Sequence, residues 1–337
     1  MLNELIIQDL FHYTTLSMKP CPACANREHN TFLRVREMML GTRNTFTYIH
    51  CQKCYCLYLN DLPSDLGTYY PDTYYSFNYT PGNQFIEWVR KTRDRFAVTN
   101  QGALGRFFYL IFPVATMRLL HWAGKSDRTT SILDVGCGNG QELGYLQRLG
   151  FNNLHGIDPF IREDILAHQA DGLSIYRKNL WEWNGQHDLI TFNHSFEHFT
   201  VAPEKVLQRV ADLLKPGGKC SIRIPVTDCY AFTQYNTNWV QIDAPRHYFI
   251  PSVQTIHQLA RRVGLTVESI HYDSTMLQFI GSEQYKHDIA LQESRSFYSP
   301  LPGPKFISWP QAIQYWWKAK RLNKNRQGDQ AVFILAK

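Results

Sequence analysis

From Ser131 onward, short runs of aliphatic and β-branched residues alternate with stretches of helical spacing. The runs are SILDVG (131–136), NLHGID (153–158), LSIYRKN (173–179), HDLITFN (187–193), KCSIRIPV (219–226) and LTVESIHYD (265–273), and QAVFILAK closes the chain. Strand–helix alternation of this kind specifies an α/β class with a parallel, doubly wound sheet, here of seven strands. Residues 274–328, with PLPGP and a cluster of Trp and Tyr, read as an insertion before the last strand. Upstream, residues 83–124 keep helical spacing except at TNQGALG. Their longest apolar run, FFYLIFPVATM (107–117), carries a Pro and is too short to span a bilayer. It is expected to form a buried or capping helix rather than a membrane-surface contact. Further upstream, FLRVREM and TFTYIH are strand-like and polar. The pattern divides the chain into a small module (1–60), an aromatic loop and helical cap (61–128), and a sheet domain (129–337).

Composition adds bounds. Apolar residues make up 44% of the 337, enough to bury a sizeable core, and the net charge is only +6. That charge permits acidic or phosphorylated partners but does not argue for a nucleic-acid partner. No secretory signal or transmembrane segment is expected, so a cytoplasmic, reducing location follows. In that setting the eight cysteines read as thiols or metal ligands. Cys21 and Cys24 (CPAC) and Cys51 and Cys54 (CQKC) form two knuckles with strand-like sequence between them, the pattern of a zinc ribbon. A closed set of four thiolates predicts structural Zn2+. Cys56, two residues beyond, is left out of the ligand set.

DVGCGNG follows the first strand of the sheet domain. Gly136, Gly138 and Gly140 allow a tight turn and close approach of the backbone to a ligand. Asp134 ahead of them would repel a diphosphate and suits a cationic or zwitterionic ligand. Asp158 closes the second strand, where a carboxylate is placed to accept from ribose hydroxyls. After the fourth strand, NHSFEHF brings His194, Glu197 and His198 to i, i+3 and i+4 if a helical turn begins there. Sheets of this class bind ligands beyond the carboxyl ends of their strands, so this cluster lies where chemistry is expected.

ILDVGCGNG, GIDPF, HDLITFNHSFEHF and LLKPGGKCSIRIP, in that order, resemble the class I S-adenosylmethionine-dependent methyltransferases. The resemblance covers about residues 130–275 plus the last strand, and implies the Rossmann-like methyltransferase sheet and S-adenosylmethionine as cofactor. By it, Asp134, Gly136, Cys137 and Gly138 hold the methionine part. Asp158 takes the ribose, next to Pro159. Phe160 or Leu180 sandwiches the adenine, Asn179 meets its edge, and Asn193 lines the same site. Asn179 stands where many relatives have an acidic residue. Tyr69, Tyr70, Tyr74, Tyr75 and Tyr79 fall in a segment that closes over the cofactor in relatives; a packed linker is the alternative.

The same resemblance bears on NHSFEHF. Many relatives carry a Glu-His pair here without metal, and a smaller set with Glu-x-x-Glu-His binds a divalent cation. A second divalent metal at His194, Glu197, His198 and His247 is therefore one expectation, and a metal-free role is the other. His247, in DAPRHYF, is a candidate general base, with packing as its alternative, and His194 is the other candidate base. Arg246 could bind an acceptor anion or form an ordinary ion pair. The combination of ribbon and methyltransferase is similar to sugar methyltransferases. It implies a sugar, nucleotide-sugar or glycan acceptor, methylated at oxygen or carbon in glycan biosynthesis. Methylation of RNA or of another small molecule with metal assistance, and an inactive scaffold of the same fold, are the alternatives.

Overall fold

The computed structural model describes residues 19–70, 83–166 and 171–337. Strands β1 (Thr31–Arg36), β2 (Thr45–His50) and β3 (Leu57–Leu59) form an antiparallel meander. Helices α1 (Gln84–Thr99), α2 (Ala103–Ile111) and α3 (Ala115–Trp122) follow. The sheet domain then runs β4 (Ile132–Val135), α4 (Gln141–Arg148), β5 (Leu154–Ile157), β6 (Leu173–Tyr176), β7 (His187–Asn193), α5 (Pro203–Leu213) and β8 (Leu214–Pro225). It continues with α6 (Tyr230–Tyr235), β9 (Phe249–Ile250), α7 (Val253–Arg262), β10 (Thr266–Tyr272), α8 (Leu277–Lys286), α9 (Trp309–Lys324) and β11 (Gln330–Ala336).

The large sheet has the order β10-β11-β8-β7-β4-β5-β6. All seven strands fall where the apolar runs lie. The sheet is mixed rather than fully parallel, because β11 pairs antiparallel with both β10 and β8. It enters the sheet from the opposite end, after the insertion that holds α8 and α9. The chain leaves β4 for β5 on one side and β7 on the other, so the carboxyl end of β4 is the switch point. β11 is apolar from Ala331 to Ala336 and buried along nearly all of its length, as expected of a strand covered on both faces.

The N-terminal module is not a separate body. Its β3 pairs with β9 from the other domain, and its buried residues share one core with the sheet. The insertion braces it from the far side: Leu291 N and Gln292 N donate to the carbonyls of Met38 and Met39.

One expectation is overturned. The run from Phe107 is not buried: Phe107, Leu110, Ile111 and Phe112 are all exposed. α2 packs on α1 only along the line of Gly105, where an added Cβ would lie 2.6 Å from the Thr92 carbonyl. That close approach leaves the longer side chains facing outward.

Candidate active site

β4 delivers Asp134 to the switch point, and the loop after it is held in a conformation that requires glycine. Gly136, Gly138 and Gly140 have φ of 74°, 54° and 75°. At Gly136 a Cβ would sit 2.5 Å from that of Ser195, so the loop and the end of β7 touch only because the side chain is missing. Gly138 N donates to Asp158 Oδ2 at 2.9 Å, and Phe160 N to Asp158 Oδ1 at 2.8 Å. Asp158 thus ties the loop to the end of β5.

Three carboxylates surround this loop, Asp134 and Asp158 buried and Glu142 half-buried. Asp134 accepts from Thr191 Oγ1 at 2.7 Å, and burial nonetheless pushes its pKa up to about 7. Burial also raises Glu142, at the first turn of α4, and Asp158. None of the three forms an ion pair among the described residues. Thr116, Asp134, Glu142, Thr191 and Asn193 line one small cavity. Buried negative charge without a fixed counterion favours a cation and repels a diphosphate. A sulfonium with an α-ammonium matches that field; a dinucleotide does not.

β7 ends at Asn193, and His194 follows in the left-handed region, with φ of 53°. Residues 196–198 form a 3₁₀ turn rather than the start of an α-helix. His194 Nδ1 lies 3.0 Å from Glu197 Oε1, and the imidazole is about a quarter exposed while the carboxylate is fully buried. Burial alone would raise Glu197. The hydrogen bond from His194 and the imidazoles of His194, His247 and His198 outweigh it and hold the carboxyl at about 2.

His247 donates from Nδ1 to the Gln241 carbonyl at 2.8 Å. Its Nε2 then stands 3.8 Å from both Glu197 Oε1 and Asp243 Oδ2. His198 Nδ1 lies 2.8 Å from the Arg246 carbonyl and 3.2 Å from Tyr70 Oη. Burial and the neighbouring His247 bring its pKa down to about 4, so His198 is neutral at ordinary pH. Glu197, His198 and His247 each bring a ligand atom within 4.8 Å of the others. His194 is outside that trio and reaches it only through Glu197. The sequence-expected quartet is therefore a trio plus a hydrogen-bonded imidazole.

The DAPRHYF loop is held by the N-terminal module. Arg246 is fully buried, pairing with Asp243 through Nε (2.9 Å) and Nη2 (2.5 Å), and with Glu37 at 3.2 Å. Glu37 also accepts from the backbone N–H groups of Met39, Leu40 and Thr42. Tyr48 Oη donates to the His247 carbonyl at 2.9 Å. Of the two roles open to Arg246, the structure gives it the ion pair.

Cys21, Cys24, Cys51 and Cys54 converge. The Sγ of Cys21 is 3.5 Å from that of Cys54, and Cys24 is 3.6 Å from Cys51. Edges of a tetrahedral thiolate site with Zn–S near 2.3 Å are about 3.8 Å, so the donor set fits a metal of that kind. Each knuckle is followed by a left-handed residue, Ala25 and Tyr55. Hydrogen bonding from Cys56, with help from the backbone at Cys54 and Lys53, draws Cys51 down to about 5 despite burial, which favours the thiolate. Cys56 is no bystander: its Sγ is buried 3.4 Å from those of both Cys21 and Cys54. It walls the cluster, a role that spacing alone does not reveal.

The remaining expected residues divide. Cys137 lies in the loop, its N–H directed at the Ile157 carbonyl. Pro159 and Phe160 are exposed at the end of β5, and Phe160 stacks on Tyr70 at 6.0 Å. Leu180 is buried in the core. Asn179 uses Oδ1 to cap the turn at 180–182, with Glu182 returning the bond. Tyr75, with Tyr74 and Tyr79, lies outside the described residues. Sequence reasoning missed Glu142, Glu37, Tyr48 and Asp243. Asp243, three residues before Arg246, had a local signal; the other three meet the site only through the fold.

Residues 111–270 match the model of a family described as "Methyltransferase domain". The match spans the switch-point loop and most of the sheet, and the sheet domain has the Rossmann-like methyltransferase fold. No curated protein matches the sequence. Among solved structures, the chain is similar to an S-adenosylmethionine-dependent methyltransferase from Mesorhizobium loti (13% identity, 67% of this chain and 99% of that one, TM-score 0.42). It is similar to the cyclopropane synthase MmaA2 from Mycobacterium tuberculosis (16%, 73% and 98%, 0.40). A third is the 1,6-didemethyltoxoflavin-N1-methyltransferase from Burkholderia thailandensis (15%, 77% and 92%, 0.38). At such identities and scores these likenesses say nothing of the acceptor.

Proposed function

We propose that this chain transfers the methyl group of S-adenosylmethionine to a hydroxyl of a polar, sugar-like acceptor, with His194 as the general base. One observation carries the reading: the 3.0 Å bond between His194 Nδ1 and the buried carboxylate of Glu197. With Nδ1–H held by Glu197, Nε2 carries the lone pair, and the carboxylate stabilises the imidazolium formed on taking a proton. The quarter-exposed imidazole of His194 supports this assignment over His247, which is nearly closed off. His247 and His198 then position Glu197. In-line displacement at the sulfonium methyl needs little beyond alignment, because the leaving group is already activated. Asp134, Asn193 and the loop at 136–140 would hold the methionine part of the donor, and Asp158 its ribose. The cysteine cluster would hold a structural zinc.

The test is His194→Gln. Turnover should fall by roughly 10²–10⁴-fold with donor affinity unchanged; full turnover with an authentic acceptor would refute the base assignment.

A second reading is metal-assisted transfer at Glu197, His198 and His247. It is favoured by Glu197 Oε2, a buried oxygen without a hydrogen-bond partner among the described residues. A divalent ion there would polarise the acceptor oxygen. Separations reaching 4.8 Å would have to close toward the ~3.4 Å of a tetrahedral site. Element analysis of wild type and Glu197→Gln distinguishes the readings: a metal beyond the cysteine site, lost in the variant, supports the second.

A further inference from the structure

Helices α1, α2 and α9 leave large apolar side chains in water on a scale the rest of the described surface does not match. Phe85, Trp88, Phe107 and Leu110 on the first two, and Trp309 and Trp317 on the third, are between 49% and 72% exposed. Isolated exposed apolar residues need no explanation, but a contiguous patch does. These are contiguous. Phe85 stacks on Trp88 at 5.9 Å, Trp88 meets Phe108 at 6.0 Å, and Phe108 meets Phe107 at 5.7 Å. Lys320 Nζ then bridges α9 to α2, 3.3 Å from the Leu110 carbonyl and 3.5 Å from the ring centre of Trp316, which adjoins Trp317. On α9 the residues Trp309, Ile313 and Trp317 recur every four positions, one stripe on one face.

The charges around the patch are mostly of one sign; Glu87, between Phe85 and Trp88 on α1, is paired with Arg90 and Arg148. There is no Asp or Glu between residues 95 and 122, or between 294 and 328. The same stretches hold Arg95, Arg106, Lys318, Lys320, Arg321 and Lys324. An apolar aromatic face bordered mainly by cations is the make-up of helices that lie in a lipid–water interface. No helix of the described residues is long and apolar enough to cross a membrane. We propose that this face docks on the surface of an anionic lipid bilayer, with Trp309, Trp317, Phe107 and Leu110 entering the headgroup boundary and the Lys/Arg border meeting lipid phosphates. A second copy is a poorer occupant, since a two-fold contact would set the cationic border against itself. A single-stranded nucleic acid is poorer too, because Leu104, Leu110 and Ile313 offer no stacking surface.

The experiment is co-sedimentation of the full chain with vesicles of phosphatidylcholine alone and of phosphatidylcholine mixed with phosphatidylglycerol. Binding to the mixed vesicles is expected, much weaker on the neutral ones and reduced by salt. The double variant Phe107→Glu/Trp317→Glu should lose roughly tenfold or more of that affinity. Both side chains are exposed, so the fold should persist, checked by an unchanged melt and unchanged S-adenosylmethionine binding. Absence of binding to anionic vesicles, or binding that the double variant does not weaken, overturns the proposal. So does a dimer in solution that the double variant splits, which would assign the face to a second copy. Donor binding is read separately, so failure of this docking and failure of the methyltransferase reading are distinct.

Discussion

At the scale of single residues, the proposed donor end turns on Asp134. Its pKa of about 7 arises from full burial, opposed by Thr191 and reinforced by Glu142 and Asp158. Only the ionised form attracts the cationic donor. Affinity for S-adenosylmethionine should therefore weaken as pH falls through about 7 and strengthen above it. Calorimetric titrations on both sides of that pH test this, and Asp134→Asn should bind more weakly with a flattened pH dependence. Asp134 and Asp158 stand out in the sequence because one interrupts and the other ends an apolar run. Glu142 was not, because a polar first turn of a helix looks solvated until the fold closes over it. Asn179 shows the opposite error: its position in the chain suggests a ligand contact, while its side chain caps a turn.

Individual elements add a second layer. The Arg246–Glu37 pair ties β1's end to the loop that carries His247, and both side chains are fully buried. Glu37→Ala leaves Arg246 facing Asp243 with one partner lost and three backbone donors orphaned. A loss of about 3–5 kcal/mol is expected in chemical denaturation. At the start of β7, His187 accepts from Trp183 Nε1 at Nε2 and meets Ser131 Oγ through Nδ1. Both ring nitrogens are satisfied only in the neutral form, and burial lowers the pKa to about 4. Below its unfolded value of ~6.5 the unfolded chain binds the proton first. Stability from this residue is complete above that pH and drains away between about 6.5 and 4, by up to about 3 kcal/mol. His187→Gln should show a shallower loss over the same window. The strands of the large sheet were legible as apolar runs. The antiparallel entry of β11 was not, since direction is set by which end an insertion leaves, and periodicity carries no such information. The exposure of α2 was also illegible: a run of apolar residues reads as buried unless an unlike environment is waiting for it.

Across the whole molecule, the N-terminal module works as a brace for the catalytic domain. The Cys54 carbonyl accepts from both Ser252 and Thr255 at 2.7 Å, so the second knuckle is bonded to the first turn of α7. β3 pairs with β9 immediately after His247. Stripping the metal with a strong chelator should therefore lower the melting temperature and reduce methyl transfer together. Element analysis should find zinc in the untreated chain. A melt and an activity both indifferent to the chelator would show that the five sulfurs stand without metal. The module was recognisable from its paired Cys-x-x-Cys spacing, but its union with the sheet was not, because the shared strand pairing is two residues long.

The central claim is that the switch-point loop is built for a cationic methyl donor. Calorimetric titration of the purified full chain with S-adenosylmethionine, alongside NAD, tests it most directly. One S-adenosylmethionine per chain, with no heat from NAD, is the predicted result; no S-adenosylmethionine binding, or tighter binding of the dinucleotide, would contradict it.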